Sequence, residues 1–227
     1  MSGPVDRPKW FQRGRSFARP AWIGLRIALC GLLLGFANAR AAELRNILIL
    51  GDSIGAGYGV DQRESFAALL ADKLKAGKLE FQIVNASVSG DTSAGGLRRI
   101  GWVLKRPVAV LLIELGGNDG LRGIRPETTQ ANLAGIIDRA RKKYPAVKII
   151  LAGMQMPGNM GKTYAEKYRA IFSAVAKAKN VALIPFLLDG VGAVPEMNQP
   201  DLIHPNPSGH RRVAENVWPV LLDAIAK

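Results

Sequence analysis

Four short segments of this chain hold the kinds of group that catalysis uses: a hydroxyl, a flexible glycine, an amide and a carboxylate–imidazole pair. The first, Gly51-Asp52-Ser53-Ile54-Gly55-Ala56-Gly57-Tyr58-Gly59, sets a serine in a glycine-rich turn directly after an apolar run. A hydroxyl there is either a turn or cap residue or a nucleophile awaiting a base. The second, Asn85-Ala86-Ser87-Val88-Ser89-Gly90-Asp91-Thr92, has a glycine able to turn its backbone N–H toward a ligand, beside two residues that would cap a helix. In the third, Leu115-Gly116-Gly117-Asn118-Asp119-Gly120, the asparagine has two amide donors for a developing oxyanion, or else closes an Asx turn. The fourth, Asp201-Leu202-Ile203-His204-Pro205-Asn206-Pro207, puts an aspartate three residues before a histidine. Its carboxylate can accept the Nδ1–H and leave Nε2 facing a hydroxyl. Asn206 and Pro207 suit the N-cap and first position of a following helix.

Other chemistries fit these residues less well. Gly55 and Gly57 are followed by Val60 where a dinucleotide fingerprint needs its third glycine. No Lys-Ser/Thr pair closes the first loop as in a phosphate loop. Gly161-Lys162-Thr163 has that ending, but Met156 occupies the first-glycine position. The chain has two histidines, six residues apart, without a cysteine or carboxylate cage around them, so no metal site is expected. His210 falls within the last helix and is expected at its surface. Asn85-Ala86-Ser87 matches a glycosylation acceptor, although its place at a strand end argues against use.

These segments need elements to position them. Apolar runs at 46–50, 81–86, 108–115, 148–153 and 181–186 read as strands, the first of a kind buried on both faces. Helical spacing covers 65–75, 93–105, 126–144, 162–179 and 207–226, the last expected to bend at Pro219. Strands alternating with helices demand parallel pairing through right-handed crossovers. The predicted fold class is therefore α/β: a single doubly wound domain, a five-stranded parallel sheet with helices on both faces. Reactive groups in such a sheet gather beyond the carboxyl ends of its strands.

Composition is that of a globular protein: 227 residues, 48% hydrophobic and 22% charged, with one cysteine, which excludes disorder, collagen-like repeats and a disulfide scaffold. The net charge of +13 would suit nucleic acid or an anionic surface, but it is unevenly placed. Seven of the 31 basic residues and one of the 18 acidic ones fall within residues 1–41, which leaves +7 spread over the rest. Lys73, Lys75, Arg98, Arg99 and the run 139–143 then read as solvated helix surface, and no nucleic-acid partner is expected.

The leader reads as an export signal. A basic stretch ending at Arg26 precedes the apolar run 27–36, and Ala37-Asn38-Ala39-Arg40-Ala41 offers cleavage after Ala39 or Ala41. The expected location is outside the cytoplasm, in a bacterial periplasm, with an uncleaved N-terminal membrane anchor as the alternative. Cys30 would leave with the leader, so the mature chain would hold no cysteine.

Taken in order, the blocks around Ser53, Gly90, Asn118 and His204 resemble the four signature blocks of the SGNH, or GDSL-type, hydrolase family, over about residues 46–222. Leu115-Gly116-Gly117-Asn118-Asp119-Gly120-Leu121-Arg122-Gly123 and Ser89-Gly90-Asp91-Thr92-Ser93 look most like its bacterial thioesterase I/lysophospholipase and arylesterase branch. Ile54 stands where the family name has leucine. The resemblance implies a flavodoxin-like sheet, a hydrolase domain over 42–227, and hydrolysis of carboxylic esters or thioesters of acyl chains. Ser53 would be the nucleophile, His204 its base and Asp201 the group that orients the base. The Ser53 N–H, Gly90 N–H and Asn118 amide would form the oxyanion hole, with no cofactor. Also implied is a mobile loop touching the acyl chain, formed by Gly120, Leu121, Arg122, Gly123, Ile124 and Arg125. Met154, Met156 and Pro157 are further candidates for an acyl groove, core packing being the alternative for the methionines. The expected partner is a small-molecule acyl ester, thioester or lysophospholipid, with no obligatory protein partner. The competing functions are carbohydrate O-acetyl ester hydrolysis and non-catalytic binding of lipid or glycan on the same fold. A dinucleotide-binding oxidoreductase ranks behind both.

Overall fold

Five parallel strands in the order β2-β1-β3-β4-β5 form the centre of the computed structural model, which describes Gly3 and residues 44–226. They are β1 (Arg45–Gly51), β2 (Phe81–Asn85), β3 (Val110–Glu114), β4 (Lys148–Ala152) and β5 (Ala182–Ile184). The expected leader, its cleavage sites and Cys30 lie outside the described residues.

Burial explains which runs became which strands. β3 (VLLIE) is buried at every position, as a strand in mid-sheet must be when helices cover both faces. β2 is the edge strand next to β1 and is only half-buried, in keeping with its Gln82 and Asn85. β5 is three residues long and is followed directly by Pro185.

Among the described residues seven α-helices connect and follow the strands: α1 (Ser53–Ala56), α2 (Phe66–Ala76), α3 (Ser93–Val103), α4 (Gly117–Leu121), α5 (Pro126–Lys143), α6 (Lys162–Lys179) and α7 (Pro207–Ala226). α3, α5 and α6 pack side by side on one face, α2 and α7 together on the other. That division follows from right-handed crossovers, because the chain moves one way from β1 to β2 and the opposite way thereafter. α7 is helical without interruption through Pro219, the residue expected to bend it. Two short helices, α1 and α4, occupy segments that read as loops in the sequence.

The order places the topological switch point between β1 and β3, the neighbours from which the chain departs in opposite directions. The carboxyl ends of these two strands carry Gly51 and Glu114, which pair in register. Ser53 and Asn118 follow each of them within four residues.

Candidate active site

Gly51 ends β1 where backbone must approach closely: a Cβ there would lie 2.3 Å from Glu114 Oε2. Asp52 then acts as N-cap of α1, its Oδ1 accepting the Ile54 N–H at 3.1 Å, so that Ser53 opens the helix. α1 lasts one turn and closes at Gly57, whose φ of 70° is left-handed. The hydroxyl of Ser53 is thus displayed at the mouth of the switch point.

The imidazole that meets this hydroxyl comes from the opposite end of the chain. His204 Nε2 is 2.9 Å from Ser53 Oγ, and His204 Nδ1 is 2.7 Å from Asp201 Oδ2. Asp201 Oδ1 accepts the Ile203 and His204 backbone N–H groups, both at 2.9 Å. Desolvation pushes this carboxyl up, but the hydrogen bonds from the His204 N–H, the His204 ring and the Ile203 N–H outweigh it and hold it at about 2. Asp201 is therefore ionised at neutral pH and keeps the imidazole turned toward the serine. Gln199 ties this loop down, its N–H donating to the His204 carbonyl at 2.8 Å and its Nε2 to the Tyr58 carbonyl at 2.7 Å. Behind it, Asn206 caps α7 as expected, accepting the Ser208 and Gly209 N–H groups at 2.9 and 3.0 Å.

Gly90 and Asn118 lie in the segments after β2 and β3. Gly90 is exposed, with a φ of 79° that a side chain would strain. Its loop is clamped by Arg99 of α3, which pairs with Asp91 at 2.7 Å and donates to the carbonyls of Ala86 and Gly51. Thr92, next in line, caps α3 by accepting the Gly95 N–H at 3.2 Å. Asn118 lies in the first turn of α4; its Nδ2 donates to Asp52 Oδ2 at 3.2 Å, which leaves the second amide hydrogen for an oxyanion. Arg122 Nη2 donates to the Gly90 carbonyl at 3.1 Å and to Asn118 Oδ1 at 3.4 Å, bridging the two loops.

The segment expected to contact an acyl chain is partly helical. Gly120 and Leu121 belong to α4, while Arg122, Gly123, Ile124 and Arg125 lead into α5. Tyr164 on α6 fastens it from below, its hydroxyl donating to the carbonyls of Gly120 and Ile124, both at 3.0 Å. Tyr168 does the same for Gly116 at 2.6 Å. Leu121, Arg122, Gly123 and Arg125 are exposed. Met154 and Met156 are buried in the core, the second so close to Gly120 that a Cβ there would meet its sulfur at 2.1 Å, whereas Pro157 is exposed. The two methionines take the packing role.

Two expectations are corrected. His210 is not at the surface but fully buried, on the stripe of α7 that includes Val213, Ala214, Val217 and Leu221. Its Nδ1 accepts the Phe66 N–H at 3.2 Å, one of the unpaired donors at the start of α2, and desolvation, with a smaller effect of His204, pulls it down to about 4. Arg99 is not solvated surface; it is four-fifths buried and spans the ends of β1 and β2. Three participants were missed. Asp119, buried, accepts the Ser93 N–H at 2.8 Å and the Thr129 hydroxyl at 3.2 Å, joining α4 to α3 and α5. Tyr58 sets its ring 4.7 Å from that of His204. Glu114, a carboxyl at the end of an apolar strand, lies fully buried under the serine turn. Among the described residues no group of three or more His, Cys, Asp or Glu side chains is arranged to hold a metal ion.

Residues 49–212 match the model of the GDSL-like lipase/acylhydrolase family. The chain is 43% identical over 196 residues to esterase TesA of Pseudomonas aeruginosa, covering 86% of this chain and 96% of that one. It is 39% identical over 185 residues to thioesterase 1/protease 1/lysophospholipase L1 of Escherichia coli, covering 81% and 86%. The psychrotrophic esterase EstA of Pseudoalteromonas sp., solved in a form inhibited by monoethylphosphonate, matches with a TM-score of 0.75 and 31% identity over 81% of this chain and 100% of that one.

Proposed function

This chain belongs to the GDSL-like lipase/acylhydrolase family and is a serine hydrolase of ester bonds, and we propose that it works through an acyl-enzyme on Ser53. The observation that carries the reading is the unbroken line from Asp201 through His204 to Ser53, with links of 2.7 and 2.9 Å. Ser53 Oγ attacks the acyl carbonyl as His204 Nε2 takes its proton, and Asp201 stabilises the imidazolium that forms. The oxyanion receives the Ser53 N–H, the Gly90 N–H and the free amide hydrogen of Asn118. His204 then gives its proton to the leaving alcohol or thiol, and a water activated by the same nitrogen releases the acid.

The substrates are small acyl esters and thioesters, lysophospholipids among them. The acyl chain lies along exposed Leu121, Arg122 and Gly123. The enzyme is exported and freed of residues 1–39 or 1–41. Support comes from the basic leader, the apolar run and the alanines that follow it. Among the described residues, no helix is long and apolar enough to cross a membrane.

An organophosphonate is expected to add to one serine, mapped by peptide mass to Ser53; an adduct elsewhere, or full ester hydrolysis by Ser53→Ala, overturns the assignment. Asn118→Ala is expected to lose roughly 100–1,000-fold in kcat at unchanged melting temperature. A loss below about tenfold would remove its amide from the hole. Cell fractionation with N-terminal sequencing tests export, and a full-length chain in the membrane pellet would favour the anchor instead.

A further inference from the structure

Under the nucleophile lie two buried carboxyls for which the acyl-transfer steps have no use. Glu114, the last residue of β3, has no exposed surface; its Oε2 accepts the Asp52 N–H at 3.0 Å and the Gly55 N–H at 2.9 Å. Its Oε1 is equally buried and takes no donor. Asp52 is 2% exposed and within hydrogen-bonding reach of Glu114. The same Asp52 caps α1 through Oδ1 and holds the Asn118 amide through Oδ2. Both Gly51 and Gly55 leave room for this arrangement, since a Cβ at either would fall within 2.7 Å of Glu114 Oε2.

Two like charges this close and this dry cannot both persist, because burial penalises each and neither neutralises the other. One of the four oxygens must bear a proton. Glu114 Oε1 is the oxygen without a donor, and a proton held by Glu114 gives Asp52 the hydrogen bond that pairs the two side chains. We propose that Glu114 is a positioning residue that keeps a proton and donates it to Asp52, fixing Asp52 in the pose that aims the Asn118 amide at the oxyanion and seats α1 behind Ser53. This rests on Asn118 serving the oxyanion hole, as proposed above.

The groups around the pair agree with a proton held at neutral pH. Asp52 faces Glu114 from the β1–α1 turn, His204 bears on Asp52 from the loop before α7, and the Arg99 guanidinium of α3 donates to the Gly51 carbonyl. Burial first, and then the Asp52 charge, push the Glu114 carboxyl well above the ordinary range. The folded state then keeps a proton that the unfolded chain releases, so stability falls as pH rises from the usual carboxylate range toward the raised one.

The test compares two variants of the full mature chain, with Asn118→Ala beside them. Glu114→Gln keeps an acceptor for the two N–H groups and supplies an N–H donor to Asp52, so it is expected to hold kcat within about threefold of the parent. It should also abolish the decline of stability with rising pH, and remove the carbonyl stretch of a protonated carboxylic acid from the infrared spectrum at neutral pH. Glu114→Ala is expected to lose roughly 10–100-fold in kcat with KM changed less than about twofold, the signature of a misplaced transition-state group. A Gln variant as impaired as the Ala variant would show that the site needs a charge and not a proton. An Ala variant as active as the parent would show that Glu114 positions nothing. Either result overturns the proposal. Should the Ala variant not fold, the Gln variant decides alone: retained kcat together with loss of the Glu114-dependent decline, read as the difference between the parent's and the variant's pH–stability curves, supports it, and any other outcome defeats it. If Asn118→Ala is itself near the parent rate, the oxyanion reading has failed and the proposal falls with it. A large Asn118 loss with an inactive Gln variant confines the failure to Glu114.

Discussion

His204 and His210 stand six residues apart and do opposite work. His204 occupies a partly exposed loop with a carboxylate on one nitrogen and a serine hydroxyl on the other. His210 sits on the buried stripe of α7, stacks against Phe66 and accepts that residue's backbone N–H. One ring is placed to change its charge during a reaction, and the other is placed where charge is too costly to acquire. A histidine becomes a base only where an anion stabilises its protonated form and where substrate can reach it. Without these, the same side chain is a hydrogen-bonding core residue.

The sharpest way to break the comparison is to remove each ring in turn. His204→Ala is expected to lower kcat by at least about 10⁴-fold while leaving the melting temperature near that of the parent. Steady-state ester hydrolysis with a thermal melt checks both halves. Asp201→Asn keeps the loop but weakens the hold on the imidazole and removes its counter-charge, and a loss between roughly 10²- and 10⁴-fold in kcat is expected. A loss below about tenfold would show that the ring is oriented by something other than Asp201.

His210 should fail in the other currency. Its folded value, about 4, lies below that of an unfolded histidine, so the unfolded chain takes up a proton first as pH falls. The resulting loss of stability begins near pH 6.5, is complete near pH 4, and amounts to about 3 kcal/mol. Asp201 acts in a lower window, its contribution present above the ordinary aspartate value and lost as pH falls toward 2. Denaturant unfolding of His210→Gln across pH 4–7 is expected to show a flattened slope, with ester hydrolysis at neutral pH changed less than about threefold. A slope equal to the parent's would mean that His210 is not the titrating group. The smallest effect is reserved for Tyr58, whose ring contacts that of His204 while its backbone carbonyl binds Gln199. Tyr58→Ala keeps the carbonyl and is expected to cost about two- to tenfold in kcat.

These contrasts also mark what sequence alone could tell. The strands were legible because apolar runs ended at glycine or at a polar residue, and the order of strands and helices then restricted the topology. The serine, glycine, asparagine and histidine blocks were legible through their order and their places after those runs. His210 was misplaced although the signal existed: positions 210, 213, 214, 217 and 221 repeat at helical spacing, and all are buried. Glu114 left a trace as well, a charged residue at the end of an otherwise apolar strand. Arg99 left little, since besides Asp91 its partners are the carbonyls of Ala86 and Gly51, 13 and 48 residues distant. Nor could a sequence show that one of the two Asn118 donors is already taken by Asp52; that depends on where two loop side chains meet.

The contact between Ser53 and His204 spans 151 residues and joins the first strand's turn to the loop before the last helix. Contacts of that separation form late, because the chain between them must first be organised to offset the entropy of closing the loop. Ester hydrolysis therefore reports a chain whose two ends have been brought together. During synthesis Ser53 emerges 151 residues before His204, so a chain without its last quarter holds the serine but not the imidazole that meets it.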